Sequence, residues 1–380
     1  MRILACIGDT NSIQTHGGLP YFLLEAARRA DFIQRGLRLR PEALRSRRIG
    51  WNLWRLLTAG ERGGYQYSRD FLDRLVTQAG GDVMAAEIVS TFPLFPPVEQ
   101  VRGPVSFYID ATLTQGIVDY AMGGRPAVGP RAFEATIARE REQYRRAERV
   151  LCRSRWAATS LVEQYGLDEG KVHVIRGGAN LPPTVAPSKQ RRLEALAPLR
   201  LGFVGKDWRR KNLPFLLTVA DVLHARGVAV EVIAAGFDPA RGPRHPRLHA
   251  LGYLNKRTDL ARFVDVVTSF HFGCLLSLAE AFGISNLECI RLGVPVLGRD
   301  VGGIRDTVPE GLGHLFPPEA EAVDVADVIQ GYVRDPDAYW PLRERVISRC
   351  EEVGWDRTVA RMMTVWSGSQ AFSYAKLAAA

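Results

Sequence analysis

The sequence lacks the long apolar runs and ligand patterns that would place it in several common protein classes. No stretch reaches the roughly 18 to 20 uninterrupted apolar residues that a membrane-spanning helix needs. The first residues, MRILACIG, contain neither the apolar core nor the cleavage site of a signal peptide. The five cysteines and seven histidines are scattered, without C-x-x-C or H-E-x-x-H spacing. We therefore expect reduced cysteines and no zinc site, in a cytoplasmic protein that is free or peripheral on the inner face of the membrane.

Positive charge is in excess, with a formal net charge of +9. Arginine is dense at 28–74, and the segment 36–57 combines it with Trp51 and Trp54. This segment is either a solvated helical face or a patch that contacts an anionic membrane surface through arginines and interfacial tryptophans. Nucleic-acid binding would predict interleaved aromatic and basic residues or a helix-turn-helix, and neither is evident. No nucleic-acid partner is expected.

The length of 380 residues suits two domains of about 150 to 200 residues each. Short apolar strands alternate with helices of about 10 to 15 residues, which is typical of a doubly wound parallel sheet. The expected fold class is α/β, with one such domain at 1–182, a proline-rich linker at 183–198 and a second domain at 199–356. A helix at about 357–375 is expected to pack back on the first domain. The last residues, KLAAA at 376–380, are typical of a vector-derived tail.

A first candidate site is the glycine-containing loop GDTNSIQTHGG at 8–18, which follows the first predicted strand. Glycine lets the backbone approach a phosphate, and the helix that follows offers amide donors at its positive end. The spacing is not G-x-G-x-x-G, so the loop is either a phosphate-binding loop or a plain connection.

A second candidate site is the segment FVGKDWRRKN at 203–212. A strand is predicted to end at Gly205, and four cations follow it: Lys206, Arg209, Arg210 and Lys211. Ligands bind at the carboxyl ends of strands in open parallel sheets, and arginine forks with lysine point charges suit a diphosphate. The alternative is a basic surface turn.

The third and most specific candidate site is LAEAFGISNLECIRLGVPVLGRDVGGIRDTV at 278–308. A strand is predicted to deliver Glu280 to its carboxyl end, and Gly283 permits a tight bend before the next helix. The free amides at the start of that helix suit a diphosphate. Glu288, about a turn into the helix, can accept hydrogen bonds from two vicinal hydroxyls, such as those of a ribose. Glu280 would then lie nearer the sugar.

These residues match the signature of a known family, E-x7-E followed by G-x-P-V and a glycine pair. The matching positions are Glu280, Glu288, Gly293, Pro295, Gly302 and Gly303. The chain resembles the retaining, family-4 glycosyltransferases of GT-B fold, also called glycosyl transferases group 1. The resemblance is strong after residue 199, fair at 148–180 and weak at 35–100, where acceptor recognition usually resides.

The resemblance implies two Rossmann-like domains that face a central cleft, the first on the acceptor side and the second binding the nucleotide sugar. It implies a hexosyltransferase that moves a sugar, with retention, from a UDP- or GDP-sugar to a hydroxyl. The acceptor would be a saccharide, a lipid-linked saccharide or a small molecule, in cell-envelope or exopolysaccharide biosynthesis. The alternatives are a GT-B-fold sugar-nucleotide epimerase or phosphorylase, and a basic nucleic-acid-binding protein.

No cofactor and no metal are expected. The D-x-D at 335–337 contains a proline and predicts a turn rather than a metal site.

The resemblance also implies the site residues. The expected catalytic residues are Glu280, Lys211, Lys206 and Asp110. The expected donor-binding residues are Gly17, Gly18, Gly205, Arg210, Tyr253, Leu254, Phe282, Gly283, Ile284 and Glu288. Asp110 ends the predicted strand VSFYID, after which many relatives carry a histidine, and a helix-capping aspartate is the alternative. His16 is a second candidate near the acceptor, and Asn212 stands where a glycine is common.

Overall fold

The chain forms two compact units in a computed structural model that describes residues 1–61, 63–118, 128–185, 187 and 198–378. The first unit comprises Met1–Arg176 and Thr358–Ala380, and the second comprises Gly177–Arg357. Most of the predicted linker and the end of the predicted tail lie outside the described residues.

The boundary between the units lies ahead of the predicted domain limit at 182, because the residues that follow Arg176 pack within the second unit. The amide of Ala179 donates to the carbonyl of Val353 at 2.8 Å. The indole of Trp355 donates to Asn180 Oδ1 at 3.0 Å. These contacts attach the start of the predicted linker region to the second unit.

The first unit is built on six parallel strands in the order β2-β1-β3-β4-β5-β6. The strands are β1 Arg2–Ala5, β2 Arg35–Gly36, β3 Glu87–Ser90, β4 Val105–Ile109, β5 Arg149–Cys152 and β6 Val172–Val174. The helices are α1 Leu19–Arg29, α2 Arg45–Ala59, α3 Arg69–Ala79, α4 Leu113–Val118, α5 Pro130–Arg146 and α6 Arg155–Thr159.

The second unit repeats this plan, with six parallel strands in the order β12-β11-β10-β7-β8-β9. The strands are β7 Leu199–Val204, β8 Val230–Ala235, β9 Leu248–Ala250, β10 Phe272–Leu275, β11 Val296–Arg299 and β12 Gly313–Phe316. The helices are α7 Leu213–Ala225, α8 Leu260–Thr268, α9 Ile284–Arg291, α10 Ala322–Arg334 and α11 Pro336–Arg349. Two further helices, α12 Trp355–Trp366 and α13 Tyr374–Ala378, end the described chain.

Alternation along the strands explains why helices cover both faces of the second sheet. On β8, Val230, Val232 and Ala234 pack in one apolar cluster with α7 and α10, while Ile233 and Ala235 pack in another with α8 and α9. Successive strand residues point to opposite faces, and a parallel sheet buries both of them. The predicted α/β class with two parallel-sheet domains is confirmed.

The D-x-D segment was predicted wrongly as a turn. Pro336 begins α11 and Asp335 is the residue before it. Proline is favoured at the first helical position because its missing N–H would have no partner there. In the described part of the chain, no helix is both long enough and apolar enough to span a membrane.

Candidate active site

Two loops of the second unit meet because their strands are neighbours. β7 and β10 pair in parallel, so the loops that follow them leave from the same edge of the sheet. The amide of Leu278 donates to the carbonyl of Arg210 at 2.9 Å, which joins the two loops directly. The basic loop 205–212 and the segment around Glu280 therefore form one site, which we call the β7–β10 site.

Glu280 is the centre of the β7–β10 site. Its Oε2 atom lies 2.8 Å from Lys211 Nζ and 3.1 Å from Arg210 Nη1, and the side chain is buried. Arg210 Nη1 also donates to the carbonyl of Ala279 at 2.6 Å. Burial alone raises the pKa of Glu280, but the charges and hydrogen bonds of Lys211 and Arg210 outweigh it, so the pKa is lowered. Glu280 is therefore ionised at neutral pH.

Glycines allow the close approaches in this site. A Cβ on Gly205 would lie 2.2 Å from Lys211 Cδ, so the lysine stem crosses the backbone where only glycine fits. Gly302 has φ +56°, and a Cβ there would lie 1.8 Å from the carbonyl oxygen of Glu280. The amide of Gly303 donates to that same oxygen at 3.2 Å. The glycine pair after β11 thus holds the backbone of Glu280.

Asn212 occupies a position where the family that this chain resembles commonly has glycine. The backbone conformation of Asn212 shows why asparagine can replace glycine there. Its φ is 58° and its ψ is 43°, which is the left-handed region. Asparagine enters this region more readily than other residues with a side chain. The loop therefore keeps a left-handed residue directly before α7.

Helix α9 carries the second glutamate. Gly283, with φ +91°, precedes Ile284 and ends the tight bend after Glu280. Glu288 is buried in α9 and forms an ion pair with Lys256 Nζ. That lysine also lies 3.4 Å from the carbonyl of Asn180. Lys256 is absent from the predicted site, because it precedes Glu288 by 32 residues and nothing in the local sequence indicates that the two side chains meet.

The remaining predicted residues of the second unit differ in exposure. Lys206 is exposed and its Nζ lies 4.9 Å from the ring centroid of Tyr253, a cation–π contact. Tyr253 is exposed, whereas Leu254 and Phe282 are buried in the apolar core. The structure therefore groups Lys206 with Tyr253 and leaves Leu254 and Phe282 only their backbone atoms to offer a ligand.

In the first unit, the predicted glycine loop precedes α1. Gly17 and Gly18 have φ values of 70° and 92°, and a Cβ on Gly18 would lie 3.0 Å from the carbonyl oxygen of Ile13. His16 is also left-handed, with φ 46°, and its Nε2 lies 2.9 Å from the carbonyl oxygen of Ile7. The imidazole of His16 is therefore held by its own loop.

Asp110 follows β4 and has a partner that the sequence analysis missed. Its Oδ2 atom lies 2.9 Å from Arg153 Nη2, and Arg153 follows the neighbouring strand β5. Arg153 is buried while the Asp110 carboxylate is half-exposed. Asp110 therefore presents an ionic side chain at the carboxyl edge of the first sheet. The signal for Arg153 was present, since VLCRS places a charge directly after a predicted strand.

Comparisons with known proteins show what this chain is similar to. A family model described as Glycosyl transferases group 1 matches residues 198–335, which contain both loops of the β7–β10 site. D-inositol 3-phosphate glycosyltransferase of Kribbella flavida is 26% identical over 253 residues, covering 61% of this chain and 59% of the relative. The enzyme of the same name from Nocardia farcinica is 28% identical over 247 residues, covering 60% of this chain and 54% of the relative. The chain thus spans less than two thirds of the length of these curated relatives.

Solved structures resemble the whole chain. Sucrose-phosphate synthase from Thermosynechococcus elongatus has a TM-score of 0.66 at 16% identity, covering 97% of this chain and 98% of that one. HepE from Anabaena, solved in complex with UDP and glucose, has a TM-score of 0.62 at 14% identity, covering 97% of this chain and 99% of that one. At such identities the likeness shows the fold alone, which is GT-B. Residues 198–335, within the second unit, thus match the glycosyl transferases group 1 family, and the chain as a whole resembles glycosyltransferases of GT-B fold.

Proposed function

We propose that this chain is a retaining hexosyltransferase that moves a sugar from a nucleoside diphosphate sugar to an acceptor hydroxyl. The observation that carries the proposal is the buried Glu280 carboxylate, held by Lys211 and Arg210 at the carboxyl ends of β7 and β10. An ionised carboxylate and two cations at this edge suit a ligand with both hydroxyls and phosphates.

The charge of the β7–β10 site favours a diphosphate. Loop 205–212 contains four cationic residues and one acidic residue, Asp207. Glu280 is the second acidic residue of the site. The four cations are Lys206, Arg209, Arg210 and Lys211. The net charge is therefore 4 − 2 = +2. Cleavage of the anomeric bond builds negative charge on the leaving phosphate, and prearranged cations stabilise that charge. The amides at the start of α9 add donors of the same polarity. We propose that these groups act without a metal or other cofactor.

The two glutamates take different parts of the donor in this proposal. Glu280 lies beside the cations that would hold the diphosphate, so its carboxylate is placed to orient hydroxyls of the transferred sugar. Glu288 lies within α9 and would accept hydrogen bonds from the ribose hydroxyls. Its ion pair with Lys256 fixes the carboxylate before the donor arrives. Tyr253, exposed beside Lys206, would lie nearest the base.

Asp110 is our candidate for the acceptor side, with His16 as the second. The Arg153 ion pair orients the Asp110 carboxylate, which keeps an exposed edge for an acceptor hydroxyl. The acceptor class is a saccharide, a lipid-linked saccharide or a small molecule, in cell-envelope or exopolysaccharide biosynthesis.

UDP is the nucleotide we favour. The solved HepE structures are complexes with UDP, with UDP and glucose, or with UDP-glucose. The named relatives are D-inositol 3-phosphate glycosyltransferases, which supports transfer to a hydroxyl of a polar acceptor. GDP-sugars remain the second donor class in the proposal.

A thermal-shift panel with UDP, GDP, ADP and their sugars tests the donor site, because a ligand that binds the folded chain raises its Tm. We expect the largest shift with UDP or a UDP-sugar. The absence of a shift with every nucleotide would contradict the proposal.

Product analysis separates transfer from the competing activities. Incubation of the binding donor without acceptor reveals an epimerase if the sugar is inverted at one carbon. Addition of inorganic phosphate reveals a phosphorylase if a sugar phosphate forms. We expect neither, and with a competent acceptor we expect a glycoside whose anomeric configuration equals that of the donor, measured by NMR coupling constants.

A further inference from the structure

Helix α2, Arg45–Ala59, is the most unusual surface of the first unit. None of its residues is buried. Eleven large apolar side chains are exposed in the described part of the chain, and five of them lie in this one helix. Their exposed fractions run from 38% to 77%, and the residues are Ile49, Leu53, Trp54, Leu56 and Leu57. A helix of a soluble domain normally turns such residues inward.

The rest of the protein holds the opposite side of α2. The indole of Trp51 donates to the carbonyl of Gly63 at 3.3 Å, and Asn52 Oδ1 accepts from the amide of Gly63 at 3.2 Å. Arg55 forms an ion pair with Glu61. Ile49, Leu53 and Leu57 recur every four residues, so they share one side of the helix. The attached side of α2 is therefore polar and aromatic, and the outward side is apolar.

Positive charge borders the apolar side. Arg45, Arg47 and Arg48 lie in the first turn of α2 and are exposed. Among the described residues they form no ion pair within 4 Å, although Arg47 lies near enough to Asp70 to help lower the pKa of that carboxyl. The helix contains no acidic residue. Cations at a helix N-terminus oppose the helix dipole, so the placement of Arg45 and Arg48 costs stability.

We propose that the outward side of α2 docks on an anionic lipid bilayer, with the helix lying in the plane of the interface. We call this surface the α2 face, and it consists of Ile49, Leu53, Trp54, Leu56 and Leu57, bordered at the start of the helix by the exposed Arg45, Arg47 and Arg48. Apolar side chains enter the headgroup region, tryptophan prefers that depth, and arginines bind anionic headgroups. Charge complementarity selects an anionic bilayer over an apolar protein groove. The α2 face needs no nucleotide, so its test is independent of the proposed transfer reaction.

Co-sedimentation with lipid vesicles tests the α2 face. The full chain is mixed with vesicles of phosphatidylcholine alone or of equal parts phosphatidylcholine and phosphatidylglycerol. We expect binding to the mixed vesicles and little to the neutral ones. L53Q/L57Q is expected to weaken binding about tenfold or more, because two leucines no longer enter the interface. R45Q/R47Q/R48Q is expected to weaken it about fivefold per arginine and to remove most of its dependence on salt.

Matched variants control for lost apolar surface and lost charge elsewhere. V323Q/M363Q changes two other exposed apolar residues, and R262Q/R334Q/R357Q removes the same charge from the second unit. Both are expected to bind the mixed vesicles like the unaltered chain. Unchanged binding of the two α2 variants would overturn the proposal, as would equal binding to neutral vesicles. If light scattering shows that L53Q/L57Q converts an oligomer to a monomer, the occupant is a second copy of the chain and the lipid proposal is wrong.

Discussion

Lys211 Nζ and Glu280 Oε2 lie 2.8 Å apart, although 69 residues separate them along the chain. Arg210 reaches the same oxygen at 3.1 Å, so one carboxylate orients two cations. The contact exists because β7 and β10 are neighbours and both loops leave the same edge of the sheet. It ties the residues that would bind phosphate to the residue that would bind sugar.

Replacement of Lys211 by alanine is expected to lower kcat about 10²- to 10³-fold, because one donor to the developing phosphate charge is lost. Steady-state kinetics with the donor identified by thermal shift measures kcat. Lys206→Ala is the comparison, and we expect a smaller loss because that side chain is exposed and contacts Tyr253. Near-normal turnover in Lys211→Ala would remove the lysine from the proposed machinery.

The free energy of unfolding should depend on pH through the Glu280 carboxylate. The folded chain lowers the pKa of Glu280 below its ordinary value of 4.5, so the carboxylate stabilises the fold above that pH. This contribution is lost as the pH falls through the lowered pKa. Glu280→Gln should reduce the free energy of unfolding at pH 7 by about 1–3 kcal/mol. The difference from the unaltered chain should narrow below pH 4.5.

Urea denaturation over a pH series measures this difference. Glu134→Gln is the matched control, because Glu134 is exposed on α5. A difference between Glu280→Gln and the unaltered chain that stays constant at every pH would show that the carboxylate charge is not the stabilising feature.

Lys256 is predicted to support nucleotide binding by holding the Glu288 carboxylate in place. Lys256→Met leaves a buried carboxylate without its cation, and we expect a loss of about 1–3 kcal/mol in the free energy of unfolding. Nucleotide affinity should fall as well, because Glu288 is no longer fixed. In K256M/E288Q the charge is gone and stability should partly recover, while nucleotide affinity should not. Calorimetric titration with UDP and urea denaturation separate these outcomes, and full recovery of affinity would contradict the role of Glu288.

Asp110→Asn is expected to reduce transfer to the acceptor about 10²-fold or more while UDP affinity stays unchanged. UDP affinity should not change, because Asp110 lies in the first unit and the proposed nucleotide site lies in the second. Transfer should fall, because the exchange removes the carboxylate charge and keeps the shape of the side chain. Asp337→Asn, an exposed position at the start of α11, is the control. Equal loss of UDP affinity and transfer would instead indicate that Asp110 supports the fold.

Local spacing was enough to predict the two parallel sheets and part of the β7–β10 site. Strand and helix periodicities are properties of neighbouring residues, so the alternation that builds each unit is readable along the chain. Glu280, Gly283 and Glu288 lie within one strand–turn–helix segment, and their order follows from that local geometry.

Only the tertiary structure decided which distant groups meet. Lys256 reaches Glu288, and Arg153 reaches Asp110, through strand order and loop paths that no local pattern encodes. The same holds for the outward side of α2: its sequence shows arginines and apolar residues, but contacts with Glu61 and Gly63 determine which side faces solvent. The sequence alone determined the elements and the spacing of Glu280 and Glu288, because both depend on short-range geometry. Partners and exposure depend on packing between remote segments.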